Sequence, residues 1–239
     1  MPETLEDFLQ SRPPTPERPL LGQTILLVED SRFASEAIRL LCLRSGARIR
    51  RADTLRSAAR HLCTYRPSVA IVDIGLPDGS GLELVSELVA TVPRVPVIIA
   101  TSGDDAAEAE AMTAGADGFL SKPVLSLAEF QEMILTHLPE DTRPKGLRQV
   151  PTEAVEPDRI AYRDDLAHIS ELLADAESAR TLSYTTAFLA GVAKTASDEE
   201  LLDAVHILAE RSENGEAIVS ALARVAGLIE DRLQNKQAV

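Results

Sequence analysis

No stretch of this 239-residue sequence approaches ~20 consecutive apolar residues, the length a membrane-spanning helix needs. Its first ten residues, "MPETLEDFLQ", are acidic where a secretory signal would be basic and then apolar. The expectation is a cytoplasmic protein with no membrane partner. Cysteine is scarce as well. Cys42 and Cys63 are the only two, and neither stands in a Cys-x-x-Cys or Cys/His ligand spacing. That pattern disfavours a disulfide framework or a thiolate metal site, and both are expected as buried free thiols on apolar helix faces. Positive charge is in short supply: 24 Lys and Arg stand against 38 Asp and Glu, a formal net charge of −14. Residues 151–239 hold 17 acidic and 8 basic side chains, so −9 of that charge lies there and −5 in residues 1–150. Surfaces that read nucleic acid usually carry the opposite sign, and DNA is not an expected partner.

What the chain does have is a hydrophobic content of 45%, normal for packed cores, and length enough for one large domain or two modest ones. The segment "SRPPTPERP" at 11–19 puts four prolines in nine residues, so residues 1–21 read as an extended proline-rich arm. A regular alternation follows. Strand-like apolar runs occur at 24–30, 47–52, 68–73, 95–102 and 117–123, with segments of helical spacing between them and a last one at 125–138. Thr54 or Asp53, Ser80 and Ser126 precede helical runs as caps, and Gly46 and Gly115 stand where glycine ends a helix. Five strand and helix pairs in alternation predict an α/β domain with a mostly parallel sheet covered on both faces.

The polar, proline-punctuated stretch at 140–157 reads as a linker. No strand signal appears beyond it. Four amphipathic segments are predicted at about 158–175, 178–195, 198–211 and 214–233, an all-α unit built as a four-helix bundle or as a dimerising hairpin.

In a doubly wound sheet, ligands bind outside the carboxyl ends of the strands. Those ends carry Glu29 and Asp30, then Asp73 in "AIVDIGLPDGSGLEL", then Thr101, then Lys122. Clustered carboxylates oppose one another's ionisation, and a hard divalent cation such as Mg²⁺ relieves that repulsion. Lys122 adds a point charge and Thr101 a hydroxyl. This is the equipment of phosphoryl transfer, in which positioning and charge neutralisation supply most of the catalysis, and Asp73 is the member placed to act as nucleophile.

The segments "LLVEDS" (26–31), "VDIGLPDGSGLEL" (72–84), "IIATS" (98–102) and "GADGFLSKP" (115–123) resemble, in order and spacing, the receiver domain of two-component response regulators. The resemblance covers residues 22–139 and implies a flavodoxin-like doubly wound five-stranded sheet of order 2-1-3-4-5. It implies Asp73 as phosphoacceptor and Mg²⁺ held by Glu29, Asp30, Asp73 and the backbone carbonyl of Gly75. Thr101 and Lys122 would contact the phosphoryl group, Phe119 would be the switch aromatic, and Pro123 would follow a bond that is often cis. A histidine kinase or phosphotransfer protein would be the donor. Such a protein signals, and its only catalysis is of its own phosphorylation and dephosphorylation.

The resemblance gives no identity to residues 158–239. Apolar stripes with an acidic exterior suit a module for protein interaction or self-association, downstream of the receiver. His168 on a bundle helix leaves open a phosphotransfer relay, although the lysine and glycine that usually follow such a histidine are absent. Residues 204–229 loosely resemble an antiterminator RNA-binding output without its final basic helix. A stand-alone phosphatase with an aspartate nucleophile would need a second Asp two residues after Asp73, where Gly75 stands.

Overall fold

The structure is a computed structural model that describes residues 13–146, 148–149, 151–174 and 179–234. The part of the proline-rich arm at 1–12 lies outside them. The chain divides into two compact units, one of residues 1–30 and 37–156, the other of residues 31–36 and 157–239.

In the first unit five parallel strands make one sheet in the order β2-β1-β3-β4-β5, with β1 at Thr24–Val28, β2 at Arg48–Ala52, β3 at Val69–Asp73, β4 at Val97–Ser102 and β5 at Gly118–Ser121. The order is the doubly wound one expected. Every residue of β3 is buried, and so are the apolar residues of β1 and β4, because strands with helices on both faces have no polar side to offer. The edge strand β2, "RIRRA", instead turns arginines outward, which blunts an edge that would otherwise pair with another chain.

The two-residue period of a strand sorts its side chains onto two cores. Ile25, Leu27, Ile71 and Ile99 pack with Ile38 and Leu41 of α1 (Arg32–Ser45) and Phe130 and Ile134 of α5 (Leu127–His137). Leu26, Val28, Val72 and Ile98 pack on the other face with Ala58 of α2 (Leu55–Leu62), Leu84 and Leu88 of α3 (Gly81–Ala90) and Ala111 of α4 (Glu108–Ala114). The caps stand where the sequence puts them: Thr54, Ser80 and Ser126 accept from the amides of Ser57, Leu82 and Glu129. Gly46 and Gly115 take φ of 84° and 97°, the left-handed turn that lets the chain leave α1 and α4. Cys42 is buried on α1 as expected, but Cys63 is exposed, since α2 ends one residue before it and leaves it no helix face to share.

The second unit holds α6 (Arg159–Ala174), α7 (Ala179–Ala196), α8 (Glu199–Glu213) and α9 (Val219–Gln234). Each helix packs on the next and α9 returns to α6, so the four close into a bundle within one chain. Leu166, Ile169, Leu189, Leu201, Val205, Val225 and Ile229 fill its interior. At one end Asp198 caps α8, accepting from the Leu201 amide, and also accepts from the Tyr162 hydroxyl at 2.7 Å and from the Arg232 guanidinium at 2.7 Å. One carboxylate thus ties three helices together. Asp165 of α6 is buried, and accepts from the Ser31 hydroxyl and from the Arg32 and Phe33 amides at 2.7–3.0 Å, the amides at the start of α1 that have no partner within their own helix.

Candidate functional site

Glu29 and Asp30 leave the end of β1, and Asp73 ends β3 on the neighbouring strand. The three offer carboxylate oxygens that all lie within 4.8 Å of one another. Glu29 and Asp73 are buried, at 2% and 6% exposure. Lys122 follows β5 and reaches back across the strand ends, its ammonium 2.7 Å from Glu29 Oε2 and 2.9 Å from Asp73 Oδ2. The Lys122–Pro123 peptide bond is cis.

One ammonium stands among three carboxyl groups. Burial pushes the Glu29 carboxyl above its ordinary range, Lys122 opposes the rise, and Asp73 and Asp30 add to it. Burial alone would lower the Lys122 ammonium, but the carboxylates of Asp73 and Glu29 outweigh it and hold the group protonated. The donor set is all hard carboxylate oxygen, gathered within 4.8 Å, and it fits a small divalent cation.

The loop after β3 shapes the site at close quarters. The Gly75 amide donates to Asp73 Oδ1 at 3.4 Å. A Cβ at Gly75 would meet nothing within 4 Å, whereas one at Gly81 would lie 1.9 Å from the Asp73 carbonyl oxygen. The glycine that this loop requires is therefore Gly81, where α3 starts directly against the β3 backbone. Asp78, in the same loop, accepts from the Leu55 and Arg56 amides and fixes the loop to the start of α2. Its "PDG" context reads only as a turn, so nothing local in the sequence points to that role.

Thr101 is the register partner of Asp73 across β3 and β4. It is fully buried, and its hydroxyl donates to the Leu120 carbonyl at 2.7 Å rather than to the carboxylate cluster. Phe119 stands one residue before that carbonyl, 8% exposed within the core on the α2–α4 side. Glu29, Asp30, Asp73 and Lys122 are thus brought together, with Thr101 adjacent and Phe119 beyond it. His168 and His206, in the second unit, are both exposed, the former edge-on to Phe188 with ring centroids 6.5 Å apart. No helix among the described residues is long and apolar enough to cross a membrane.

Residues 25–135 match the response regulator receiver domain family. Among curated proteins, the chain is 35% identical over 100 residues to the KDP operon transcriptional regulatory protein KdpE of Escherichia coli K12, a match covering 41% of this chain and 44% of KdpE. It is 31% identical over 100 residues to the virulence transcriptional regulatory protein PhoP of Salmonella typhimurium, covering 41% of this chain and 45% of that one. The matched region is under half the length of each relative. Two solved structures are similar over about half of the chain. A response regulator from Chloroflexus aurantiacus is 26% identical, with a TM-score of 0.44, covering 48% of this chain and 98% of that one. The receiver domain of sensor histidine kinase PA1611 from Pseudomonas aeruginosa, solved with a magnesium ion in its active site cleft, is 28% identical, with a TM-score of 0.43, covering 48% and 96%.

Residues 25–135 are a response regulator receiver domain with a flavodoxin-like fold, and the helical unit that follows is unidentified. One expectation is corrected by these relatives. Leaving DNA out as a partner conflicts with their being transcriptional regulatory proteins. The net charge of residues 151–239 averages over a whole surface, while contact with a nucleic acid is made by a few local groups, so acidity was no ground for that exclusion.

Proposed function

We propose that this protein accepts a phosphoryl group on Asp73 in a Mg²⁺-dependent reaction and signals through its helical half. The domains of this reading are an arm at 1–21, the receiver at 22–139, a linker at 140–157 and the helical output at 158–239, in a cytoplasmic protein. The observation that carries it is the carboxylate of Asp73, buried at a strand end, held 2.9 Å from Lys122 and within 4.8 Å of carboxylate oxygens of Glu29 and Asp30.

A carboxylate oxygen of Asp73 attacks the phosphorus of a donor, a phosphohistidine of a kinase or phosphotransfer protein. An O–P bond forms and the N–P bond breaks, and the leaving imidazole keeps the bonding pair and takes up a proton. Glu29, Asp30, Asp73 and the Gly75 carbonyl would hold Mg²⁺, whose charge neutralises the transferring oxygens. Lys122 stays beside Asp73 and pairs with a phosphoryl oxygen. The Thr101 hydroxyl must leave the Leu120 carbonyl to donate to the phosphoryl group, and the space so opened admits a turn of Phe119. The helical half is the part that reads this change, by protein interaction or self-association.

Incubation of the full chain with acetyl phosphate and Mg²⁺, followed by intact-mass measurement and light scattering, tests both halves of this reading. One added phosphoryl group and a shift in oligomeric state or partner affinity are expected. Uptake that persists in EDTA, or an output unmoved by uptake, contradicts it.

A further inference from the structure

Between Pro151 and Pro157 the chain is exposed residue after residue, with one exception. Val155 is 2% exposed and belongs to the sheet core on the α1–α5 side, beside Val124 and Leu127. The backbone around it pairs with the segment that opens α5: the Leu127 amide donates to the Glu153 carbonyl at 3.0 Å, and the Val155 amide to the Leu125 carbonyl at 2.9 Å. Ser126 and Ala154 form an antiparallel bridge between those two bonds. Arg44 of α1 forms an ion pair with Glu153.

We propose that residues 153–155 are a releasable strap, docked on residues 125–127 in this state and freed when Asp73 is phosphorylated. The inference rests on the phosphoacceptor reading and adds its route of regulation. The geometry has two parts. First, the docking is small: two backbone bonds, one buried side chain and one exposed ion pair hold it, and so short a pairing opens locally without unfolding the sheet. Second, its seat is joined directly to the site. Leu125 is three residues from Lys122, and Val124, between them, packs in the same cluster as Val155. When the partner of Lys122 changes from a carboxylate oxygen to phosphoryl oxygens, the segment 122–127 is the one that must adjust, and the strap sits on its far end. A strap whose docking differs between the two states biases the site by the same factor that the site biases the strap. The residue after the strap leads into the helical half, so freeing 153–155 lengthens the tether of that half without requiring any new contact.

Amide hydrogen exchange of the full chain, with and without Mg²⁺ and beryllofluoride, tests this, while fluorine NMR reports whether the probe binds. The expected result is faster exchange of the Val155 and Leu127 amides with the probe bound, by a factor of about 5 to 150. Val155→Ser, which weakens docking and touches none of the carboxylates, should raise beryllofluoride affinity by a similar factor. If the probe binds wild type and those amides keep their protection, the strap is a fixed part of the fold and the proposal fails while the phosphoacceptor reading stands. If the probe does not bind wild type, both fail.

Discussion

The hydroxyl of Thr101 donates to the backbone carbonyl of Leu120 at 2.7 Å, closing a bond between β4 and β5 one residue from Phe119. That bond and a bond to a phosphoryl group on Asp73 compete for one proton. Thr101→Val preserves shape and removes the proton. The variant should lose about 1 kcal/mol of stability by urea denaturation and should still take up a phosphoryl group. Its output response to that uptake should be lost, because nothing then draws residue 101 away from β5.

Lys122 bridges Glu29 and Asp73, and its removal takes away a cation that both of these buried carboxyl groups share. Lys122→Met should destabilise the receiver by about 3–5 kcal/mol, the cost of breaking a buried pair from one side. Mg²⁺ should restore more of the melting temperature in this variant than it adds to wild type, since it replaces the missing charge. Thermal scans of both proteins across a Mg²⁺ series check this.

Two glycines of one loop should behave oppositely. Gly81→Ala puts a methyl group 1.9 Å from the Asp73 carbonyl oxygen and should cost about 1–3 kcal/mol or more, moving the phosphoacceptor with the backbone. Gly75→Ala meets nothing within 4 Å and should stay within about 0.5 kcal/mol of wild type. Denaturant midpoints of the two variants decide it.

The helical half should carry its own acid limb. Burial would raise the Asp198 carboxyl, but hydrogen bonds from Arg232, Tyr162 and the Leu201 amide outweigh it and hold the group below its ordinary carboxylate range. A group that titrates lower in the folded than in the unfolded chain adds stability that is complete above about pH 4 and drains away as pH falls through the folded value. Asp198→Asn should lower helical stability at neutral pH and flatten its decline below pH ~4, followed by circular dichroism. The same decline in variant and wild type would remove Asp198 as its cause.

Much of this was legible in the sequence because the signals were local. Continuous apolar runs mark strands buried on both faces, Thr54, Ser80 and Ser126 mark helix starts, and a carboxylate at the end of "SVAIVD" marks an edge where ligands meet strands. What was not legible depends on residues far apart in the chain. The partner of the Thr101 hydroxyl is a backbone carbonyl 19 residues on, and the Asp78 carboxylate caps a helix that starts 23 residues earlier. Val155, in a proline-punctuated polar stretch, carries no periodicity to betray its burial. The exclusion of DNA as a partner failed for a related reason, because summed charge says nothing of how charges are placed.

The most direct measurement of the central claim is the position of the phosphoryl group itself. Full-length protein is labelled with acetyl phosphate and Mg²⁺, digested, and the modified peptide sequenced by tandem mass spectrometry, with Asp73→Asn carried in parallel. The account predicts one modified residue, Asp73, and no label on the variant. A phosphoryl group found on another residue of wild type, or undiminished labelling of Asp73→Asn, would contradict it.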